Sequence, residues 1–203
     1  MLGTIEQAIV DAIDAAAKKN GKFGYTYDQV ASYGDELDDN LAIIIKSFPA
    51  CWVVLKGEAT ARIDQFTDAH SPTFSIIVGC SSRRNEKAAR HGTEGEGGEV
   101  GAYQRLEDIR ALLFRNDLDL DIDPIQPGAI RPLLNGKAGR GHAAIYALEI
   151  STGYETRLPD ATGLDDLQTF HADWDLPPHG NVTKPLPAAE SDAADTVTLN
   201  EEA

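Results

Sequence analysis

At 203 residues, with 42% hydrophobic and 25% charged side chains, the chain has the composition of a folded domain with one sizeable core, not of a disordered or fibrous protein. Its 33 acids outnumber its 18 Lys and Arg, and the formal charge of -15 excludes a non-specific grip on DNA, RNA or anionic lipid, which phosphate repulsion would oppose. No apolar run reaches the ~20 residues that cross a bilayer, and the acids within "MLGTIEQAIVDAIDAAAKK" fit no secretory leader.

In chain order, Thr4 is placed to cap a helix whose apolar stripe is Ile5, Ala8, Ile9, Ala12, Ile13 and Ala16, with Asn20 and Gly21 closing it. "KFGYTYDQVASYGDELDDN" has no clean period and reads as irregular. A second helix is predicted over 38–47, stopped by Pro49. The texture then turns to strand: "CWVVL", "EATARIDQF" and "TFSIIVGC" read as three neighbouring strands, punctuated by Gly57 and "DAHSP". Cys51 and Cys80 fall inside these runs and are expected to be reduced core thiols.

Residues 83–103, "RRNEKAARHGTEGEGGEVGAY", form a charged seam with five glycines and Val100 as its single core candidate. After it, "GAYQRLEDIRALLFRND" has the strongest helical period in the chain. Ala102, Leu106, Ile109 and Leu113 share one face with Tyr103 and Leu112 beside it, and Arg105, Glu107, Asp108 and Arg110 take the wet side. A turn follows over 117–123. "IQPGAIRPLL" can pair only at an edge or a bulge, because Pro127 and Pro132 donate no ladder hydrogen bond. "NGKAGRGH" reads as a hairpin turn, "HAAIYALEISTGYETRL" as a strand crossing the sheet centrally, and "GLDDLQTF" as a last short helix.

Beyond Ala172 the chain is rich in Pro and small residues and carries seven acids against one Lys, the composition of an extension that stays mobile or takes its order from another chain. The expected fold is therefore α+β: one domain over 1–171 with a mainly antiparallel sheet of about four to five strands flanked by helices, a long charged loop, and an acidic, Pro-containing extension over 172–203.

Few motifs point to chemistry. The seam's glycines are not followed by the Lys-Ser or Lys-Thr of a phosphate loop, and Glu94, Glu96 and Glu99 would repel phosphate. His171, Asp173 and Asp175 alternate in "HADWD" and on an extended segment could converge on a divalent ion; the plainer reading is surface polars around an inward-packed Trp174. Glu86 and Lys87 with Asp68 imitate a nuclease-like acid and lysine set, but the pair sits in the seam and not on a rigid strand. There is no nucleophile elbow, zinc-binding helix or Cys pair at ligand spacing. The residues thus point to no catalytic residue, metal site or cofactor. They point to assembly, since a compact core carries two segments too polar to belong to it.

Two stretches carry a resemblance. "SFPACWVVLKG", and "GAYQRLEDIRALLFRNDLDLDIDPIQPGAIRPLL" followed by "AIYALEISTGYETRL", are similar to the Mu-like phage and prophage family encoded among neck and tail genes, over roughly residues 1–170. That resemblance implies a tail terminator, or tail completion, protein: a homo-oligomer forming a hexameric ring on the last ring of the tail tube protein, stopping polymerisation and docking a neck or head-tail connector protein. It implies a virion protein of the tail or neck, made in the host cytoplasm, with no membrane partner and with DNA passing through without sequence-specific binding. Arg83, Arg84, Lys87 and Arg90 are then expected as one interface patch, with Glu94, Glu96 and Glu99 as its counterpart on a neighbour. Residues 83–100 are expected to be mobile in the free protomer, so that deleting them spares the melting temperature. A head-side connector is the alternative, and a metal-dependent enzyme using His171, Asp173 and Asp175 is a third reading.

Overall fold

The computed structural model describes residues 1–18, 20–34, 45–94, 98–138, 141–157, 169–182, 184 and 190–198. Chain contacts divide the protein into two compact units, Met1–Leu158 and Pro159–Ala203. In the first, helix α1 (Leu2–Ala16) precedes strand β1 (Gln29–Ser32), a 3₁₀ turn (Ile45–Ser47), and strands β2 (Ala50–Arg62) and β3 (Thr67–Ser82). Helices α2 (Glu86–His91) and α3 (Ala102–Leu113) follow, then strands β4 (Gln126–Ala138), β5 (Gly141–Ser151) and β6 (Tyr154–Arg157). The sheet runs β1-β2-β3-β5-β4, with β6 beside the start of β3. Every pairing is antiparallel except β1 with β2. The fold is the expected α+β class with a mainly antiparallel sheet.

Alternation along the strands decides where the core sits. Cys51, Val53, Ile76, Val78, Tyr146 and Leu148 share one face and cluster with Ile5, Ile9 and Ile13 of α1 and Leu106, Ile109 and Leu113 of α3. Phe48, Trp52, Ile77 and Ile145 form a second cluster from the other face. At roughly 1.5–3 kcal/mol for each fully buried aliphatic side chain, the stripe of three isoleucines secures α1 without a cap. The helix accordingly begins at Leu2 with no side-chain cap, and Thr4 lies inside its first turn, not at its boundary.

Several elements differ from expectation for local reasons. β1 lies inside the segment read as irregular; at four residues it is too short to show a period, and its pairing is parallel to β2. The three expected strands are two long ones, because Gly57 marks a register shift after Leu55 and not a break, and "DAHSP" continues β3 with Pro72 opposite Glu58. The predicted helix over 38–47 lies outside the described residues as far as residue 44, and Ile45–Ser47 is the 3₁₀ turn. The strand predicted from His142 stops at Ser151, and Tyr154–Arg157 turns away to pair with the start of β3. β4 is a sheet edge as its prolines require, and its two register shifts begin at Pro127 and Pro132.

In the second unit, β7 (Thr169–Trp174) and β8 (Ala193–Thr198) form an antiparallel ribbon. β7 crosses the boundary expected at 171/172. Of the helix expected over 163–170, residues 163–168 lie outside the described residues, and Thr169 and Phe170 are strand.

Candidate assembly interface

The seam is built from the residues that looked least informative. Asn85 caps α2, its side chain accepting the Ala88 amide hydrogen bond at 2.8 Å, while Glu86 in the first turn and Arg90 and His91 in the last complement the helix dipole. Ala88 and Ala89 are 8% and 2% exposed, which corrects the expectation that Val100 is the seam's single core candidate. Small side chains are what a short helix needs to lie close against a sheet. Beyond the helix, Gly92 takes φ +81°, and a Cβ there would run into the Glu99 carbonyl, just as one at Gly101 would run into the Gly92 backbone. The Thr93 amide donates to Glu99 O at 2.9 Å and the Glu99 amide to Thr93 Oγ1 at 2.8 Å, closing the neck of the loop.

The predicted charges separate in this frame. Arg83, Arg84 and Lys87 are exposed at the start of α2, and none is in an ion pair among the described residues. Arg90 is engaged inside the chain, 3.6 Å from Glu86 Oε1 and donating to Tyr103 Oη at 3.5 Å. Tyr103 in turn meets Tyr146 Oη at 3.2 Å, so a polar chain ties α2 and α3 to β5. The Tyr146 and Arg90 bonds hold the Tyr103 hydroxyl below its ordinary pKa, whereas burial raises that of Tyr146. Glu94 and Glu99 are exposed at the neck; Glu96 lies outside the described residues.

Sequence reasoning missed Arg105. Assigned to the wet side of α3, it is 4% exposed, with its guanidinium carbon 4.3 Å from the ring centre of Tyr25 and 4.5 Å from that of Tyr27. Its Nε donates to Val100 O at 3.3 Å and its Nη1 to Thr26 O at 3.1 Å. The signal was present: Ala102, Arg105 and Ile109 are three and four apart, one face of a helix. Burial pushes the Cys80 thiol up to about 11 against the opposing pull of the Arg105 charge, and burial raises Cys51, Tyr25 and Tyr27 as well. At this end of the sheet a cavity of about 640 Å³ opens, with Phe48, Cys80 and Arg105 at its floor and Asp28, Arg83 and Glu99 at its rim.

The model of the family described as Bacteriophage Mu, Gp37 matches residues 1–156. The chain belongs to that family. A comparison with curated proteins gives no match. The Gp37 span takes in the whole seam, the Arg105 cluster and the cavity, and ends within β6, so the β7-β8 ribbon lies beyond it. Membership makes the chain a Mu-like phage protein, and among its described residues no helix is long and apolar enough to cross a membrane.

Of the residues weighed for a metal, His171 and Asp173 lie in that ribbon and Asp175 just after β7. His171 and Asp173 do share a face, but the ring nitrogens of His171 already meet Thr196 Oγ1 at 2.6 Å and Asp173 Oδ1 at 3.0 Å. Asp175 accepts the Gly180 amide at 3.0 and 2.9 Å. Among the described residues no three His, Cys, Asp or Glu side chains gather as they would around an ion. Trp174, expected to pack inward, is exposed with its indole N–H donating to Asp195 at 3.0 Å; a two-stranded ribbon has no interior for it.

Proposed function

We propose that this Gp37-family chain is a tail terminator, a structural virion protein whose ring caps the tail tube, stops its polymerisation and offers the neck a docking surface. The observation that carries the reading is the family match over residues 1–156, joined to a seam whose capped helix carries exposed cations with no ion pair among the described residues. In an acidic chain of net charge -15, exposed Arg83, Arg84 and Lys87, with no ion pair among the described residues, are available to acids of a neighbouring subunit. Glu94, Glu96 and Glu99 are the counterpart offered in return, and Arg90 sets the mount through Glu86 and Tyr103. Such contacts supply register and partner choice more than raw affinity. The overall negative charge also keeps the ring from gripping DNA that must slide past.

The test is to add the purified protein to tail tubes. Rings at one tube end and a shortened length distribution in negative-stain images are the expected result. Tubes of unchanged length with bare ends sink the terminator reading, and binding to a portal complex instead identifies a head-side connector.

A further inference from the structure

β2 and β3 carry different features at their two ends. Their pairing runs from Ala50↔Gly79 to Arg62↔Asp68, whereas β5 accompanies β3 only as far as Thr73, so the distal part of the hairpin projects beyond the main sheet. β6 braces this arm on the β3 side. The His70 ring stacks on Tyr154 at 4.7 Å and 9°, His70 Nε2 lies 2.7 Å from Thr156 Oγ1, and Tyr154 Oη donates to Glu58 Oε1 at 2.8 Å. The turn at the tip is fixed as well: the Phe66 amide donates to Asp64 Oδ1 at 2.7 Å and the Ile63 amide to Thr67 O at 3.0 Å. Yet Ile63 and Phe66 are 54% and 42% exposed on this rigid turn, with exposed Arg62 and Arg157 at its shoulders.

The cavity of about 640 Å³ lies at the opposite end of the same strands. At about 3.3 Å per residue the two features are roughly 40 Å apart. The floor offers the rings and thiol of Phe48 and Cys80 beside Arg105, whose guanidinium meets two carbonyls and two tyrosine faces but no carboxylate among the described residues. The charges are complementary in position. The tip has an acid at its apex, Asp64, between two arginines; the cavity has cations, Arg105 and Arg83, between two rim acids, Asp28 and Glu99.

We propose that the β2-β3 tip of one copy seats in this cavity of the next, Ile63 and Phe66 against Phe48 and Cys80, Asp64 toward Arg83, and Arg62 and Arg157 toward Asp28 and Glu99. Tip and cavity are different patches of one chain, so the contact is head-to-tail and propagates until the rotation between copies closes a ring. The inference rests on the ring reading above; it takes Arg83 and Glu99 out of the seam-to-seam pairing named there and gives them the tip of the neighbour, leaving Arg84 and Lys87 to Glu94 and Glu96. Both parts are preorganised, so ordering costs little of the contact's free energy.

The experiment places the photo-cross-linker p-benzoylphenylalanine at position 66 of the full chain and maps chain-to-chain products, with particle mass read by light scattering. Cross-links to residues 25–28, 48–49 or 98–100 of a second copy are expected, free or on tube ends. Phe66→Ala should weaken self-association by on the order of thirty-fold, the cost of truncating an interface anchor. Phe66→Asp should abolish self-association while leaving the melting temperature unchanged, because the side chain touches solvent in the free chain. Cross-links confined to other surfaces, no cross-link in either setting, or normal assembly of Phe66→Asp overturns the inference. The two readings fail separately. Rings of Phe66→Asp that still cap tubes remove the tip contact and keep the terminator, while cross-linked oligomers that ignore tube ends do the reverse.

Discussion

The seam over 83–101 and the segment from Asp173 onward look alike as text: charged, rich in small residues and without a core period. In three dimensions they diverge. The seam contributes Ala88 and Ala89 to the domain's interior, is capped at Asn85 and closes at a two-glycine neck. The other supplies β8 and part of β7, a ribbon on which Phe170, Trp174 and Val197 stay exposed. Formal charge is therefore a poor guide to burial over a short segment. What separates the two is whether the smallest residues fall together on one helical turn, where they can approach a sheet.

Among single substitutions, the largest effect expected from this difference is at Ala89. Ala89→Asp leaves a carboxylate uncompensated in the core, at a cost of about 3–4 kcal/mol, read by chemical denaturation. Deleting 83–100 should cost more, against the sequence-based expectation that the melting temperature is spared; a deletion variant that melts normally returns the seam to the status of an arm. Next is Arg105→Met, which loses two carbonyl bonds and both tyrosine faces and should cost about 2–3 kcal/mol. Arg105→Lys should not recover it, since an ammonium cannot reproduce the planar fork.

A pH profile sharpens the comparison further. With the Cys80 thiol raised from 9.0 to about 11, the folded state keeps a proton that the unfolded chain releases. Stability is thus fully present below pH 9 and is lost as pH rises toward 11, by on the order of 2 kcal/mol. Cys80→Ala should flatten that part of the decline, and an unchanged slope would remove Cys80 as its source. Gly92→Ala, forced to φ +81° against the Glu99 carbonyl, should cost about 1–2 kcal/mol in the same denaturation assay. The smallest effect on stability belongs to the triple change of Arg83, Arg84 and Lys87 to Glu, within about 0.5 kcal/mol, and it should appear instead as lost tube capping.

How far these features were legible follows from the length scale of each signal. The stripes of α1 and α3, the buried runs of β2, β3 and β5 and the edge position of β4 were readable because periodicity or proline chemistry acts within one element. β1 was hidden because four residues hold no period, and α2 because six residues hold less than two helical turns. Arg105 was misplaced because charge was allowed to outweigh spacing. The cavity and the exposed hairpin tip were out of reach altogether, since the tip depends on how far two strands outrun their neighbours and the cavity on four separated parts of the chain meeting at one end of the sheet. Within the seam, the sequence did not reveal the division between Arg90, held by Glu86 and Tyr103, and Arg83, Arg84 and Lys87, exposed and in no ion pair among the described residues.

The outer edge strand β4, with its two prolines and two register shifts, bears on what happens when copies of the chain meet. A long edge strand is an open template for further strands, and copies at high concentration stack along an unguarded one into fibres without limit. Residues without an N–H and kinks in the backbone spoil that template. In the ring proposed above, copies then recognise one another through side chains and not through a growing sheet.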